Sequence, residues 1–346
     1  MDIRGMVKPH VWSLPEYVPG EYREGYVKLA SNENNFGPSP KVKAAVRSWA
    51  GRTHLYPYLD LKVREALADY VGVGSDCIVA GNGSDELMDM LVKVFPGPVA
   101  GSHPSFSEYP IAAGAVGERY VPVRLADDFT FDGETFLKEA SDARLFFLCS
   151  PNNPTGLSIS DGDLKRVLDS GKIVVLDEAY AEFAGKSRVG WLRDYDNLII
   201  LRTLSKAFAL AGLRVGYAVA KPEAAEAMMK VKIPFNVNSI AEAAALAALD
   251  DRAYSKRCVK KMVKGREEIQ AAMSKRSKAY PSDSNFVFAD VSPMTAQAFF
   301  DGMIGEGIIV RKFGRLQGYP GEYVRVSSGT DKENRQFLKA LKAIGR

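Results

Sequence analysis

An α/β fold is what this sequence predicts: a large domain with a mainly parallel, seven-stranded sheet sandwiched by helices, followed by a small α+β domain. Three observations predict it. Short apolar runs rich in β-branched residues recur through the middle of the chain, and several are continuous rather than alternating, as in strands covered on both faces. Stretches with helical spacing lie between those runs. The 346 residues exceed what one small core needs, so two domains are expected.

Residues 1–35 hold Pro9, Pro15 and Pro19 with little periodicity and read as an N-terminal arm packing with the small domain. Residues 36–234 read as the large domain, with strands expected at 77–80, 98–101, 120–123, 145–149, 173–177, 198–202 and 215–220. Leu87, Leu91 and Val94 repeat at i, i+4 and i+7 after the turn Gly81-Asn82-Gly83, which predicts a helix opening there. Leu164, Val167 and Leu168 behave similarly behind Ser160 and Asp161, both suited to N-capping. Residues 235–346 read as the small domain. Pro234 breaks the chain, Asn238 or Ser239 caps an alanine-rich helix running towards Leu249, and a long polar-faced helix covers 254–275. Short strands at 285–290, 308–310 and 323–327, with a helix at 295–305, complete it.

Composition narrows the class of function. The chain is 46% hydrophobic and 25% charged, and its net charge of +4 gives no electrostatic reason to expect nucleic acid or an anionic membrane as partner. Cys77, Cys149 and Cys258 are scattered and odd in number, so no disulfide framework is implied. His10, His54 and His103 lie at no metal-ligand spacing, and no metal site is expected. With no apolar stretch of signal or membrane-spanning length, a cytoplasmic protein is expected.

Four local features each have an ordinary structural reading beside a chemical one. Gly81-Asn82-Gly83-Ser84 is a strand-to-helix turn whose amides could also hold a phosphate. Ser150-Pro151-Asn152-Asn153-Pro154-Thr155-Gly156 is a loop of turn formers that could present Asn153. Leu176-Asp177-Glu178-Ala179-Tyr180 puts an acid at the C-terminal end of a strand, as a cap or where open α/β sheets bind ligands. In Thr203-Leu204-Ser205-Lys206, the lysine follows an apolar strand; it is either an exposed loop residue or a desolvated amine able to attack an aldehyde. Arg214 and the two hydroxyls near Lys206 could bind one phosphate dianion. The glycines after Ala80 do not have the G-x-G-x-x-G spacing of a dinucleotide site.

Taken together, these segments resemble the fold-type I aminotransferases, and most closely their histidinol-phosphate aminotransferase branch. The resemblance runs from Lys28-Leu29-Ala30-Ser31-Asn32-Glu33-Asn34 to Arg325-Val326-Ser327-Ser328-Gly329-Thr330, with its most specific stretch at Thr203 to Lys206 and Ala211 to Gly216. That family uses pyridoxal phosphate, which needs an amine for its aldehyde, donors for its phosphate, an acid opposite its ring nitrogen and a flat side chain on its ring face.

By resemblance, Lys206 is the Schiff-base lysine and the group that moves the proton. Asp177 faces the pyridinium nitrogen, Asn153 and Tyr180 bond the phenolate oxygen, and Phe106 stacks on the ring. Gly83, Ser84, Asp85 (through its amide), Thr203, Ser205 and Arg214 form the phosphate cup. Tyr56 reaches the phosphate of a neighbouring subunit, which implies a homodimer. Arg325 takes the substrate α-carboxylate and Arg311 a substrate phosphate, while Asn34, Tyr17 and Asn236 line the same pocket. Asn35 and Phe106 depart from the family, which more often has proline and tyrosine there. The implied reaction is a ping-pong exchange between histidinol phosphate and 2-oxoglutarate. Aminotransfer on aromatic amino acids or aspartate, and decarboxylation of phosphothreonine, are the alternatives on the same fold.

Overall fold

The computed structural model describes residues 3–15 and 20–344. Seven strands form the central sheet: β1 (Ile78–Gly81), β2 (Val99–His103), β3 (Tyr120–Arg124), β4 (Leu145–Cys149), β5 (Ile173–Asp177), β6 (Leu198–Thr203) and β7 (Gly216–Val219). Their order is β1-β7-β6-β5-β4-β2-β3. All neighbours run parallel except β7, which is antiparallel to both β1 and β6. The continuous apolar runs are explained by burial on both faces: Phe146 and Phe147, adjacent on β4, point to opposite sides and are both 0% exposed. Each contributes roughly 1.5–3 kcal/mol by leaving water.

The small domain carries a four-stranded antiparallel sheet of β8 (Lys278–Ala279), β9 (Phe286–Asp290), β10 (Arg311–Gly314) and β11 (Tyr323–Ser327), ordered β10-β11-β9-β8. The strand expected at 308–310 is different. Ile308–Ile309 pairs in parallel with Val27–Lys28 of the arm and lies outside this sheet, whose edge is β10. Leu29 and Ala30 of the arm then enter the small core beside Val287, Val324 and Phe337. Earlier in the arm, the Pro9–Ser13 turn lies against the Glu108–Ala115 helix of the large domain.

The two cores meet later than residue 235. The Ser239–Asp250 helix, capped by the Asn238 side chain on Ala241 N–H, buries Ala241, Ala244, Ala245 and Ala248 in the large-domain core. An alanine-rich helix has little to say about which neighbour it joins; here its small side chains let it pack closely on the Pro40–Trp49 helix. The Arg252–Met273 helix makes the passage, with Met262 in the large core and Ile269 and Met273 in the small one. A second junction is aromatic: Phe129, from a large-domain loop, contacts Tyr280, Phe288, Tyr319 and Tyr323.

This topology gathers chain segments from distant parts of the sequence at one edge of the sheet. β1, β2, β4, β5 and β6 all end there, followed by Ser84, Pro104, Asn153, Ala179 and Lys206. Ligands of open α/β sheets bind at that carboxyl edge.

Candidate active site

A cavity of about 610 Å³ opens at this edge, within the size range of small-molecule sites. Both domains line it: Lys206, Asp177, Tyr180, Asn153 and Arg214 from the large one, Arg311 and Arg325 from the small one.

Asp177, the last residue of β5, is 3% exposed. Its Oδ2 accepts the Tyr109 hydroxyl at 2.8 Å and its Oδ1 accepts Ala179 N–H at 3.0 Å. Burial nevertheless pushes the carboxyl up from 3.8 to about 6, with these two bonds opposing the shift. A cation placed against it would restore the charged form. Tyr109 was not among the residues singled out from the sequence. It is fully buried, lies flat on Phe147 with centroids 5.1 Å apart and meets Phe106 edge-on.

Lys206 follows β6 and donates from Nζ to the Ser31 carbonyl at 3.2 Å. Enclosure of the amine, and then the charge of Arg325, bring it down from 10.5 to about 8. At pH 7.5 roughly a quarter of such amines are neutral, against about one in a thousand for an ordinary lysine. The residue is thus an enclosed amine in the cavity and not an exposed loop lysine.

Tyr180 receives a bond from Asn32 Nδ2 at 2.9 Å, and burial pushes its hydroxyl above the ordinary tyrosine range. Asn32 is a second residue not identified beforehand. It sits at φ 56° and exchanges bonds with Ser327, so the arm, β11 and Tyr180 are joined through it. Asn153 Oδ1 accepts from Arg325 Nη1, whose other terminal nitrogen donates to the Ala30 carbonyl at 2.7 Å.

An anion cradle lies beside these groups. Gly83, at φ +82°, caps the Ser84–Val94 helix, and Arg214 reaches over it. A Cβ on Gly83 would stand 2.3 Å from Arg214 Nη2, and one on Gly216 2.5 Å from the Gly83 carbonyl carbon and Ser84 nitrogen. Only glycine at both positions lets helix N-terminus and guanidinium converge. Thr203 and Ser205, nearly buried, add hydroxyls. Arg214 pairs with the Asp85 carboxylate at 2.6 Å, so that side chain is engaged as well as its amide.

Of the other expected residues, several lie outside the cavity. Asn34 turns away from the cavity and bonds the Ala207 carbonyl and Phe36 N–H, bracing the loop after Lys206. Asn236 bonds the Ala80 carbonyl and Glu86. Tyr56 is 76% exposed, stacked on Phe235 away from its own chain's cavity. Tyr17 lies outside the described residues. Phe106 lines the cavity, and Asn35 ties the Lys28 carbonyl to Glu333.

β10 and β11 bring the two arginines together. Arg311 is directly opposite Arg325 in the antiparallel register, so both project to the same face and into the same cavity. Among the described residues no carboxylate forms an ion pair with Arg311. Like charges directly opposed are destabilising, and an anion between them removes that cost.

Comparison with known proteins is consistent with this geometry. The histidinol-phosphate aminotransferase of Pyrococcus furiosus is 39% identical over 330 residues, 94% of this chain and 93% of that one. The enzyme of the same name from Methanocaldococcus jannaschii is 35% identical, covering 99% and 98%. Among solved structures, histidinol-phosphate aminotransferase from Sinorhizobium meliloti in complex with pyridoxal-5'-phosphate superposes with a TM-score of 0.88 at 30% identity, over 98% of this chain and 97% of that one. L-threonine-O-3-phosphate decarboxylase from Porphyromonas gingivalis shares the fold, with a TM-score of 0.81 at 23% identity over 92% and 98%. The model of the family "Aminotransferase class I and II" matches residues 24–341, and the chain belongs to that family.

Proposed function

We propose that this protein is a pyridoxal-phosphate aminotransferase that exchanges an amino group between histidinol phosphate and 2-oxoglutarate. The observation that carries the substrate reading is the Arg311–Arg325 pair, two guanidinium groups opposed across β10 and β11 on the wall that faces Lys206. Planar guanidinium groups pair with phosphate and carboxylate through two parallel bonds. Histidinol phosphate brings a phosphate to that wall, and 2-oxoglutarate brings carboxylates.

The cradle of Gly83, Ser84, Thr203, Ser205 and Arg214 suits the cofactor's phosphate, since its close approach needs glycine: a Cβ at Gly83 would meet Arg214 and one at Gly216 the Gly83–Ser84 backbone. Asp177 suits the ring nitrogen, Asn153 and Tyr180 the ring oxygen, and Phe106 the ring face. Bound there, pyridoxal phosphate supplies an aldehyde for capturing amines and a ring that withdraws the electron pair left by a departing proton. Asp177, enclosed and anchored by Tyr109, would stabilise positive charge at the ring nitrogen. Lys206, in the same cavity and brought down to about 8 by enclosure, would hold the cofactor's aldehyde and, once free, would serve as the base that takes a proton from the donor carbon. Arg325 turns from Asn153 to the substrate anion, and Arg311 holds the distal one.

A homodimer is part of this reading. Tyr56 and Phe235 form an exposed aromatic step beside exposed Leu55, Tyr58 and Ile233, a patch suited to a second copy that would receive Tyr56 at its phosphate. Among the described residues no helix is long and apolar enough to cross a membrane. The test is a donor screen with 2-oxoglutarate as acceptor. Histidinol phosphate is expected to give the highest kcat/KM among itself, phenylalanine, tyrosine and aspartate. A higher value for any of the others, or release of carbon dioxide from phosphothreonine without transamination, overturns the assignment.

A further inference from the structure

A second cavity, of about 370 Å³, lies on the other side of the loop that carries Lys206. Ala207 and Phe208 form part of its wall, and the Arg252–Met273 helix forms another part. The first proposed site uses none of these groups.

Three features define what the cavity accepts. Its floor is apolar, made by Tyr70, Phe208 and Val259, with Tyr70 and Phe208 meeting edge-on at 5.5 Å. Glu182 lines it with one unsatisfied oxygen: Oε1 accepts from Arg202 at 2.5 Å and from Tyr70 at 3.2 Å, whereas Oε2 is buried and has no hydrogen-bond partner. A buried acceptor without a donor is costly, and a turn of this carboxylate towards the cavity that Glu182 lines would let a ligand N–H satisfy it. The rim is cationic. Arg252 and Lys186 are committed to Asp69 and Asp161, but Lys256 and Lys260, one helical turn apart, have no ion-pair partner among the described residues.

We infer that this cavity is a binding site for a free α-amino acid with an apolar side chain. The ligand's ammonium group meets Glu182, its carboxylate meets Lys256 and Lys260, and its side chain covers Phe208 and Val259. The basic stretch of this helix, otherwise only a solvated face, thereby acquires a role. Because the wall continues directly from Lys206, an occupied cavity also stiffens the loop that holds the active-site amine.

The experiment is calorimetric titration of the holoenzyme after borohydride reduction, which closes the active site. The probes are leucine and phenylalanine, and the corresponding amine and acid of each. Both amino acids are expected to bind at one per chain, with either truncated probe at least tenfold weaker. Val259→Trp, which fills the cavity, and the exposed pair Lys256→Glu with Lys260→Glu are each expected to weaken binding at least tenfold while leaving kcat/KM for transamination within twofold. Arg325→Ala is expected to leave this binding intact. Absence of binding overturns the inference. So does binding that survives both cavity variants, or that disappears with Arg325→Ala, since the ligand would then be in the first site. These outcomes do not depend on which amino donor the enzyme uses.

Discussion

Replacing Asp177 by asparagine is expected to stabilise the cofactor-free protein while removing activity. The folded protein holds this carboxyl at about 6, above its ordinary 3.8, because burial outweighs the bonds from Tyr109 and Ala179. The folded state therefore binds a proton more tightly than the unfolded state does. The resulting penalty is absent below about pH 4, grows as pH rises towards 6 and is complete above it. About two pKa units correspond to about 3 kcal/mol. Asparagine is nearly isosteric, keeps its oxygen on the Ala179 N–H, can donate from its amide nitrogen to the Tyr109 oxygen, and carries no charge. Urea unfolding of cofactor-free protein should show Asp177→Asn more stable by about 2–3 kcal/mol at pH 8, with the gain falling to about 1 kcal/mol at pH 4.5 and to nearly zero below pH 4. In the loaded enzyme the sign reverses, because the charge facing the ring nitrogen is gone. An asparagine variant destabilised equally at both pH values would refute the electrostatic account of this residue.

Further expectations concern the groups around it. Tyr109→Phe removes one bond to a charged acceptor, worth about 1.5–3 kcal/mol, so cofactor dissociation and kcat should both worsen by about 10- to 100-fold; unchanged cofactor affinity by fluorescence titration would contradict the positioning role. Gly83→Ala puts a Cβ 2.3 Å from Arg214 Nη2 at φ +82°, and is expected to cost about 1–2 kcal/mol in stability and at least tenfold in cofactor affinity. Arg311→Ala should raise KM for a phosphorylated donor by about 10- to 100-fold, with a far smaller effect on cofactor binding; equal losses in both would place Arg311 in general folding instead.

Much of the architecture was legible because burial on both faces leaves a plain signature. β4 and β5 are unbroken apolar runs, and their expected limits match the observed strands. Edge strands leave no such signature: β10 reads Arg-Lys-Phe-Gly, half exposed, and its role depends on pairing with β11. Resemblance names both arginines, but their direct opposition is not legible for the same reason, since the two positions lie 14 apart in sequence and only register joins them. Tyr109 lies 68 positions from Asp177 and looks like one aromatic among many until the β2–β4–β5 order brings its helix alongside. Asn34 and Asn236 show the converse. An amide in a suggestive segment reads as pocket lining, whereas each of these donates to a backbone carbonyl.

The most direct measurement is a single half-reaction. Loaded enzyme is mixed with histidinol phosphate in the absence of any keto acid, and the cofactor absorbance and the product are followed together. The account predicts one equivalent of imidazole-acetol phosphate per chain, complete loss of the cofactor's original absorption band, and its return on addition of 2-oxoglutarate with one equivalent of glutamate. A fully loaded enzyme that undergoes this cycle with phenylalanine or aspartate but leaves histidinol phosphate untouched would contradict it.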